Sequence, residues 1–266
     1  MSLKGREGFE KYYSGVFGER WPALSAALLE PVKKIARPNA FAQDSAKLEK
    51  TYEMDAASLL PPQALDAKPG EEVLDMCAAP GGKSLIIAES LFAGGNRSGK
   101  LVVNELSDKR RARLRAVLDD YLPSEVREHM SVASHDGTRW CLYEQETFDR
   151  ILLDAPCSGE RHLLDDPAEM KVWSQARSKN LAVRQYALLV SALQVVRHGG
   201  RIVYSTCALS PLENDDVIAR LLKRRKGEAR VLTPSFDIGE ATEHGWHILP
   251  DRTGFGPIYL SVLERI

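Results

Sequence analysis

From residue 72 onward the sequence alternates short apolar runs with longer segments that carry apolar residues at helical spacing. Residues 72–76, 100–105, 130–133, 148–154, 200–205 and 258–265 read as strands, and residues 84–91, 109–122, 179–196 and 213–223 as helices. Strands separated by helices must be joined by crossovers, which implies a parallel sheet covered on both faces. The lack of polar alternation in 148–154 and 200–205 fits strands buried on both sides. The expected fold class is therefore doubly wound α/β, and 266 residues with 44% hydrophobic composition suffice for one generous core.

Ahead of this pattern, residues 5–37 read as helical. Phe9, Tyr12, Tyr13, Val16 and Phe17 fall on one face, Trp21-Pro22 opens a second helix, and Arg37-Pro38-Asn39 marks a turn. Residues 54–62 read as a short helix stopped by Pro61-Pro62. The organisation expected is a helical extension over 1–50 and one larger domain over 51–266, with no structural weight given to Met1-Ser2-Leu3. Lys4, Arg6, Glu7, Glu10 and Lys11 break up any apolar leader, and no apolar run approaches bilayer length, so a cytoplasmic monomer that meets no membrane is expected.

The 36 basic and 37 acidic residues nearly cancel, so nucleic-acid contact would have to come from local basic patches. Four cysteines, Cys77, Cys141, Cys157 and Cys207, show no C-x-x-C pairing or clustered histidine, which argues against a metal site and against a disulfide scaffold. Cys77 and Cys141 read as small buried hydrophobes.

The run after the first strand, Cys77-Ala78-Ala79-Pro80-Gly81-Gly82-Lys83, is a small-residue loop leading into a helix. Ligands of open parallel sheets sit beyond such strand ends, where a helix N-terminus offers free N–H groups. Gly82-Lys83-Ser84 matches the end of a triphosphate loop, but Cys77 stands where its first glycine belongs and Pro80 removes a backbone donor. S-adenosylmethionine has no phosphate and needs partners for a ribose and an amino-acid end. Glu105, at the end of the second strand, is placed to accept from ribose hydroxyls and favours that ligand.

The strand ending at Asp154 is followed by Ala155-Pro156-Cys157, and the next by Thr206-Cys207. A doubly wound sheet brings these ends to the rim that carries the small-residue loop. Either cysteine alone reads as core; the pair, with Asp154 beside it, reads as chemistry. His135 and His162 are assigned no proton-transfer role.

Three segments, Asp75-Met76-Cys77-Ala78-Ala79-Pro80-Gly81-Gly82-Lys83, Asp154-Ala155-Pro156-Cys157-Ser158-Gly159 and Tyr204-Ser205-Thr206-Cys207-Ala208-Leu209-Ser210-Pro211-Leu212-Glu213-Asn214, together resemble the NOL/NOP/Sun family of RNA 5-methylcytosine methyltransferases, over about residues 50 to 266. The resemblance implies a Rossmann-like class I methyltransferase fold with a mostly parallel seven-stranded sheet, and S-adenosylmethionine as cofactor. It implies Cys207 as nucleophile, Cys157 in product release, Gly81, Gly82 and Lys83 in the cofactor loop and Glu105 on the ribose. Arg110 matches a further cofactor-side position, Asp136-Gly137 the pair at the adenine end, and Asp154 the acid near methyl group and cytosine. In that chemistry a thiolate adds to carbon 6 of cytosine, carbon 5 becomes enamine-like and takes the methyl group, and loss of the carbon 5 proton with thiolate elimination restores the ring.

The stretch Glu160-Arg161-His162-Leu163-Leu164-Asp165-Asp166-Pro167 departs from the commoner glycine-rich version and is similar to the compact branch that includes the mitochondrial ribosomal-RNA enzyme of animals. It places ribosomal RNA ahead of transfer RNA as partner. No additional RNA-binding module is evident, and an accessory protein is left open. Basic residues cluster at 109–115, at 223–226 and, more loosely, at Arg177, Lys179 and Arg184. Two rivals stand beside the enzyme reading: a P-loop-like nucleotide-binding protein, and a non-catalytic RNA-binding assembly factor with the same fold.

Overall fold

The computed structural model describes residues 4–266 except 45, 96, 233 and 234, so Met1-Ser2-Leu3 and position 96 of the 93–99 loop lie outside the described residues. The strands are β1 (Lys34–Pro38), β2 (Thr51–Asp55), β3 (Glu72–Asp75), β4 (Lys100–Asn104), β5 (Met130–Ala133), β6 (Phe148–Asp154), β7 (Val196–Thr206), β8 (Ala229–Leu232), β9 (Glu240–Ala241), β10 (Trp246–Ile248) and β11 (Ile258–Arg265). The main sheet runs β5-β4-β3-β6-β7-β11-β10-β9, with β8 on β11. Pairings from β5 to β7 are parallel, and β11 enters antiparallel to β7.

All six strands expected from residue 72 onward are present. β10 completes the seven, and β8 and β9 extend the sheet beyond them to nine. These three span only two to four residues each, too short for any period to show. The chain winds outward from β3 to β5, then returns to lay β6 on the other side of β3. That reversal opens a crevice between the C-terminal ends of β3 and β6.

Successive residues of each buried strand face opposite cores. Val73 packs with Leu85, Ile87, Leu114 and Leu118, contributed by the helices Gly82–Phe92 and Asp108–Tyr121. Leu74 packs with Leu188, Leu189, Val217 and Ile218, from the helices Gln175–Val195 and Asp215–Arg224. At about 25 cal/mol per Å² of apolar surface, these two faces supply most of the drive to fold. Cys77 and Cys141 pack on the edge of the second core, half-buried, which fits their reading as small hydrophobes. No helix among the described residues is long and apolar enough to cross a membrane.

The N-terminal region corrects two expectations. The second helix ends at Leu29, ahead of Pro31, and residues 34–38 are not helical but form β1, which pairs with β2. Its exposed and half-buried residues alternate, a period-2 pattern that the basic and proline-rich composition obscured. The hairpin joins the segments on either side of residue 50. Pro61 and Pro62 do not stop a helix. They sit in the first turn of the helix Leu60–Leu65, where no backbone donor is needed.

The helices Gly5–Phe17 and Trp21–Leu29 build a third apolar cluster. Phe9, Tyr13 and Trp21 meet Leu163, Trp173 and Leu209. Leu163 and Leu209 belong to the segments that follow β6 and β7, so this lead-in packs directly behind the expected site.

Candidate functional site

At the end of β3, the Gly81 backbone takes a φ of +119°, open to glycine at little cost, and turns the chain into the helix Gly82–Phe92. Gly82 lines the loop cavity and is also tightly packed: a Cβ there would lie 2.6 Å from Cε1 of Tyr52 on β2. Lys83 reaches across the crevice, and its Nζ donates to Asp154 Oδ2 at 2.7 Å. Burial pulls the Lys83 pKa down, but the adjacent Asp154 carboxylate more than offsets this and holds it above the ordinary lysine value. Asp154 lies opposite Ser205 in the parallel β6–β7 pair, so both side chains share a face, and Ser205 Oγ donates to Asp154 Oδ1 at 2.8 Å. Asp154 is thus fixed from both sides.

Asp75, the last residue of β3, was missed as a site residue because it reads as part of a strand. It is buried, its Oδ2 accepts from Ser84 Oγ at 2.7 Å, and its Oδ1 has no partner. Burial raises its pKa to about 7. It lines a cavity of about 250 Å³ with Lys83, Asp154, Arg113 and the small-residue loop. The available signal was a carboxylate at the end of an apolar strand, immediately before a loop of small residues.

A second cavity, of about 390 Å³, lies beyond β4 and is lined by Glu105, Arg110, His135, Gly137 and Arg184. Glu105 Oε2 is 3.3 Å from Arg110 Nε, and its Oε1 accepts from Ser107 N at 2.9 Å. Arg110 also donates to Ala79 O at 2.9 Å, tying the two cofactor-side loops together. Asn104 extends this tie: its side chain donates to Met76 O and His135 O and accepts from His135 N. Asp136 turns its Oδ1 onto Thr138 N and Oγ1 and caps the next turn, leaving His135 and Gly137 to form the cavity wall. His135 packs its ring against Trp140 and Tyr143.

The two remaining loops bring the thiols together. Cys157 Sγ and Cys207 Sγ are 2.8 Å apart, and Cys207 N donates to Cys157 Sγ at 3.3 Å. Both line a cleft of about 440 Å³ with Asp154, Gly159, His162 and Arg177. That volume falls in the range of small-ligand sites. The hydrogen bond to Cys207, then burial, raises the Cys157 pKa, so Cys157 keeps its proton at neutral pH. Cys77 borders all three cavities, but burial also raises its pKa and leaves it unreactive.

The donor set suits a cation-bearing nucleoside. Asp75 offers an unpartnered, buried carboxylate oxygen near the loop, and Glu105 a carboxylate near the second cavity. It does not suit a triphosphate. The lysine of Gly82-Lys83-Ser84 is ion-paired to Asp154, and the carboxylates of Asp75, Glu105 and Asp154 would repel phosphate charge.

A family model described as 16S rRNA methyltransferase RsmB/F matches residues 62–264. The chain belongs to the RsmB/F methyltransferase family. A Xenopus tropicalis relative, 5-cytosine rRNA methyltransferase NSUN4, is 38% identical over 242 residues, covering 84% of this chain and 58% of that protein. The mouse relative tRNA (cytosine(34)-C(5))-methyltransferase, mitochondrial, is 35% identical over 229 residues, covering 82% of this chain and 64% of that protein. The chain thus spans little more than half the length of these curated relatives. A crystal structure of a methyltransferase homolog protein from Pyrococcus horikoshii superposes with a TM-score of 0.79 at 24% identity, over 99% of this chain and 96% of that one, and shows the same fold.

Within this RsmB/F member, the structure gathers Lys83, Asp154, Cys157 and Cys207 around one crevice, and Glu105 and Gly137 around the adjoining cavity. Of the basic residues, Arg113 lines the Asp75 cavity, while Arg177 and Arg184 line a surface hollow that reaches Cys157. Residues 223–226 span the end of the helix Asp215–Arg224 and lie about one helix length, ~15 Å, from the start of that helix beside the Cys207 loop. Sequence reading also missed Ser205, Asn104 and the two glutamates Glu160 and Glu213 behind the cysteines.

Proposed function

We propose that this chain is an S-adenosylmethionine-dependent RNA cytosine-C5 methyltransferase, with ribosomal RNA favoured over transfer RNA. The observation that carries the reading is the pair of thiols 2.8 Å apart in one cleft that also holds Asp154. S-adenosylmethionine, when bound, supplies an electrophilic methyl group. Asp75, the 77–83 loop and Glu105 would hold it, the last through the ribose hydroxyls. Cys207 adds to carbon 6 of a cytosine placed in the cleft and makes carbon 5 nucleophilic. Asp154, fixed by Lys83 and Ser205, hydrogen-bonds the polar edge of the ring, which stabilises the adduct and discriminates cytosine from uracil. In the elimination the carbon 5 proton passes to water, the C6–S bond breaks, and Cys157, holding its proton, donates a hydrogen bond to the departing Cys207 sulfur.

The target base must be unpaired or flipped out to enter the cleft. Arg177 and Arg184 face the approach to it and suit phosphate contacts, although Arg177 also pairs with Glu169 at 2.8 Å. The family's description supports the ribosomal target, while relatives named for ribosomal RNA and for transfer RNA stand at similar identities, 38% and 37%. Methyl transfer to total RNA, with bisulfite mapping of the product, tests the proposal. Wild-type protein is expected to place the label on carbon 5 of a ribosomal cytosine, and Cys207→Ala to abolish transfer while binding the cofactor normally. Wild-type turnover by Cys207→Ala would refute the assignment of the nucleophile.

A further inference from the structure

Behind the two thiols lies a buried polar lattice that the mechanism above does not use. Glu160 and Glu213 are both 0% exposed, and among the described residues no lysine or arginine is bonded to either. Glu160 follows β6, yet its Oε2 accepts from the backbone N of Leu209, two residues past Cys207, at 3.0 Å. Glu213 follows β7, yet its Oε2 accepts from the backbone N of Ser158, the residue after Cys157, at 2.9 Å. Each cysteine loop therefore sends a carboxylate to the main chain of the other. Gln185 closes the crossing, its Nε2 donating to Glu213 Oε2 at 3.0 Å and to Pro156 O at 2.9 Å. Tyr13, from the helix Gly5–Phe17, donates its hydroxyl to Glu160 Oε1 at 2.5 Å. Ser158 Oγ reaches the same oxygen, also at 2.5 Å.

Burying two carboxylates in one pocket is costly, and an apolar pair of similar volume would stabilise the fold at least as well. What the carboxylates provide instead is direction: each fixes one backbone N–H at one point. Burial, then the neighbouring Glu160, raises the Glu213 pKa.

We propose that Glu160 and Glu213 are reciprocal positioning residues that set the distance between Cys157 and Cys207, and that Tyr13 makes the N-terminal helix part of this brace. The proposal rests on the methyltransferase reading for its kinetic effects, but the spacing of the thiols can be measured without it.

The test compares Tyr13→Phe, Glu160→Ala and Glu160→Gln in the full chain. In Glu160→Gln, the amide oxygen can still accept from Leu209 N while the amide nitrogen donates to the Ser158 and Tyr13 hydroxyls, so the brace is retained. Expected for Tyr13→Phe is a kcat about 5- to 10-fold lower, with KM for RNA and calorimetric affinity for S-adenosylmethionine unchanged. Expected for Glu160→Ala is a loss of about 100-fold, restored to within about 3-fold by Glu160→Gln. Adding Tyr13→Phe to Glu160→Ala is expected to cost nothing further, because the partner is gone.

Iodoacetamide labelling of Cys157 and Cys207, read by mass spectrometry without RNA, is expected to speed up severalfold in Tyr13→Phe and to stay near wild type in Glu160→Gln. Should Glu160→Ala not fold, Tyr13→Phe and Glu160→Gln still decide. Wild-type kcat and wild-type labelling in Tyr13→Phe would overturn the brace. A wild-type protein that transfers no methyl group would instead overturn the proposed function, and the labelling comparison would still judge the brace.

Discussion

The two halves of the crevice are held in different ways. On the cofactor side, the loops after β3 and β4 are tied to backbone oxygens by single uncharged or solvent-exposed side chains, the buried Asn104 on Met76 and His135 and the exposed Arg110 on Ala79. Their partners lie 28 to 31 residues apart, within neighbouring βα units. On the cysteine side, the loops after β6 and β7 are locked by fully buried carboxylates, and Tyr13 joins from 147 residues away. A side that binds and releases a small molecule tolerates looser ties. A side that must present one sulfur to one ring carbon needs its geometry fixed, since a misplacement of about 1 Å can cost about 100-fold in rate.

The sharpest way to break this contrast is Asp154→Ala, which removes the group joining the halves through Lys83 and Ser205. It leaves the Lys83 ammonium buried without its counter-ion. Methyl transfer is expected to fall by about 100- to 1,000-fold, read as kcat in single-turnover assays. A loss confined to cofactor affinity would assign Asp154 to the cofactor side alone.

A smaller effect is expected from Glu105→Gln, which keeps the shape but removes the charge opposite Arg110. Calorimetry is expected to show about 10-fold weaker binding of S-adenosylmethionine, in line with the loss of a charge-assisted hydrogen bond, with kcat at saturating cofactor nearly unchanged. A fall in kcat instead would erase the distinction between the two halves.

The smallest effect concerns Asp75. Its folded-state pKa is raised to about 7 by burial, so the native protein holds this proton more tightly than the unfolded chain does. Stability from this group is fully present below about pH 4 and is lost as pH rises through about 7, by at most ~4 kcal/mol. Asp75→Asn is expected to flatten the decline in stability between pH 4 and 7, measured by urea denaturation across that range. An unchanged profile would show that Asp75 ionises freely.

The contrast also explains what the sequence made legible. Asp154, Cys157, Cys207, Lys83 and Glu105 each stand within a few residues of a strand end, and the doubly wound topology places such ends at one rim, so local motifs sufficed to find them. Glu160 and Glu213 stand in the same segments, but their meaning lies in contacts across 49 and 55 residues that no local pattern encodes. Gly82 was legible as part of the cofactor loop, but that its missing Cβ also makes room for Tyr52 was not, because the β1–β2 hairpin brings that partner into place. That hairpin escaped notice because its residues are half exposed and pairing, not burial, decides its conformation.

The central claim is that one particular sulfur bonds to the RNA base. It is tested most directly by incubating the Cys157→Ala protein with cofactor and substrate RNA, isolating the species that survives a denaturing gel, and mapping the modified peptide by mass spectrometry. A stable adduct is expected on the peptide containing Cys207, with a methylated cytosine attached. An adduct on another residue, or methylated RNA released by a protein lacking Cys207, would contradict it.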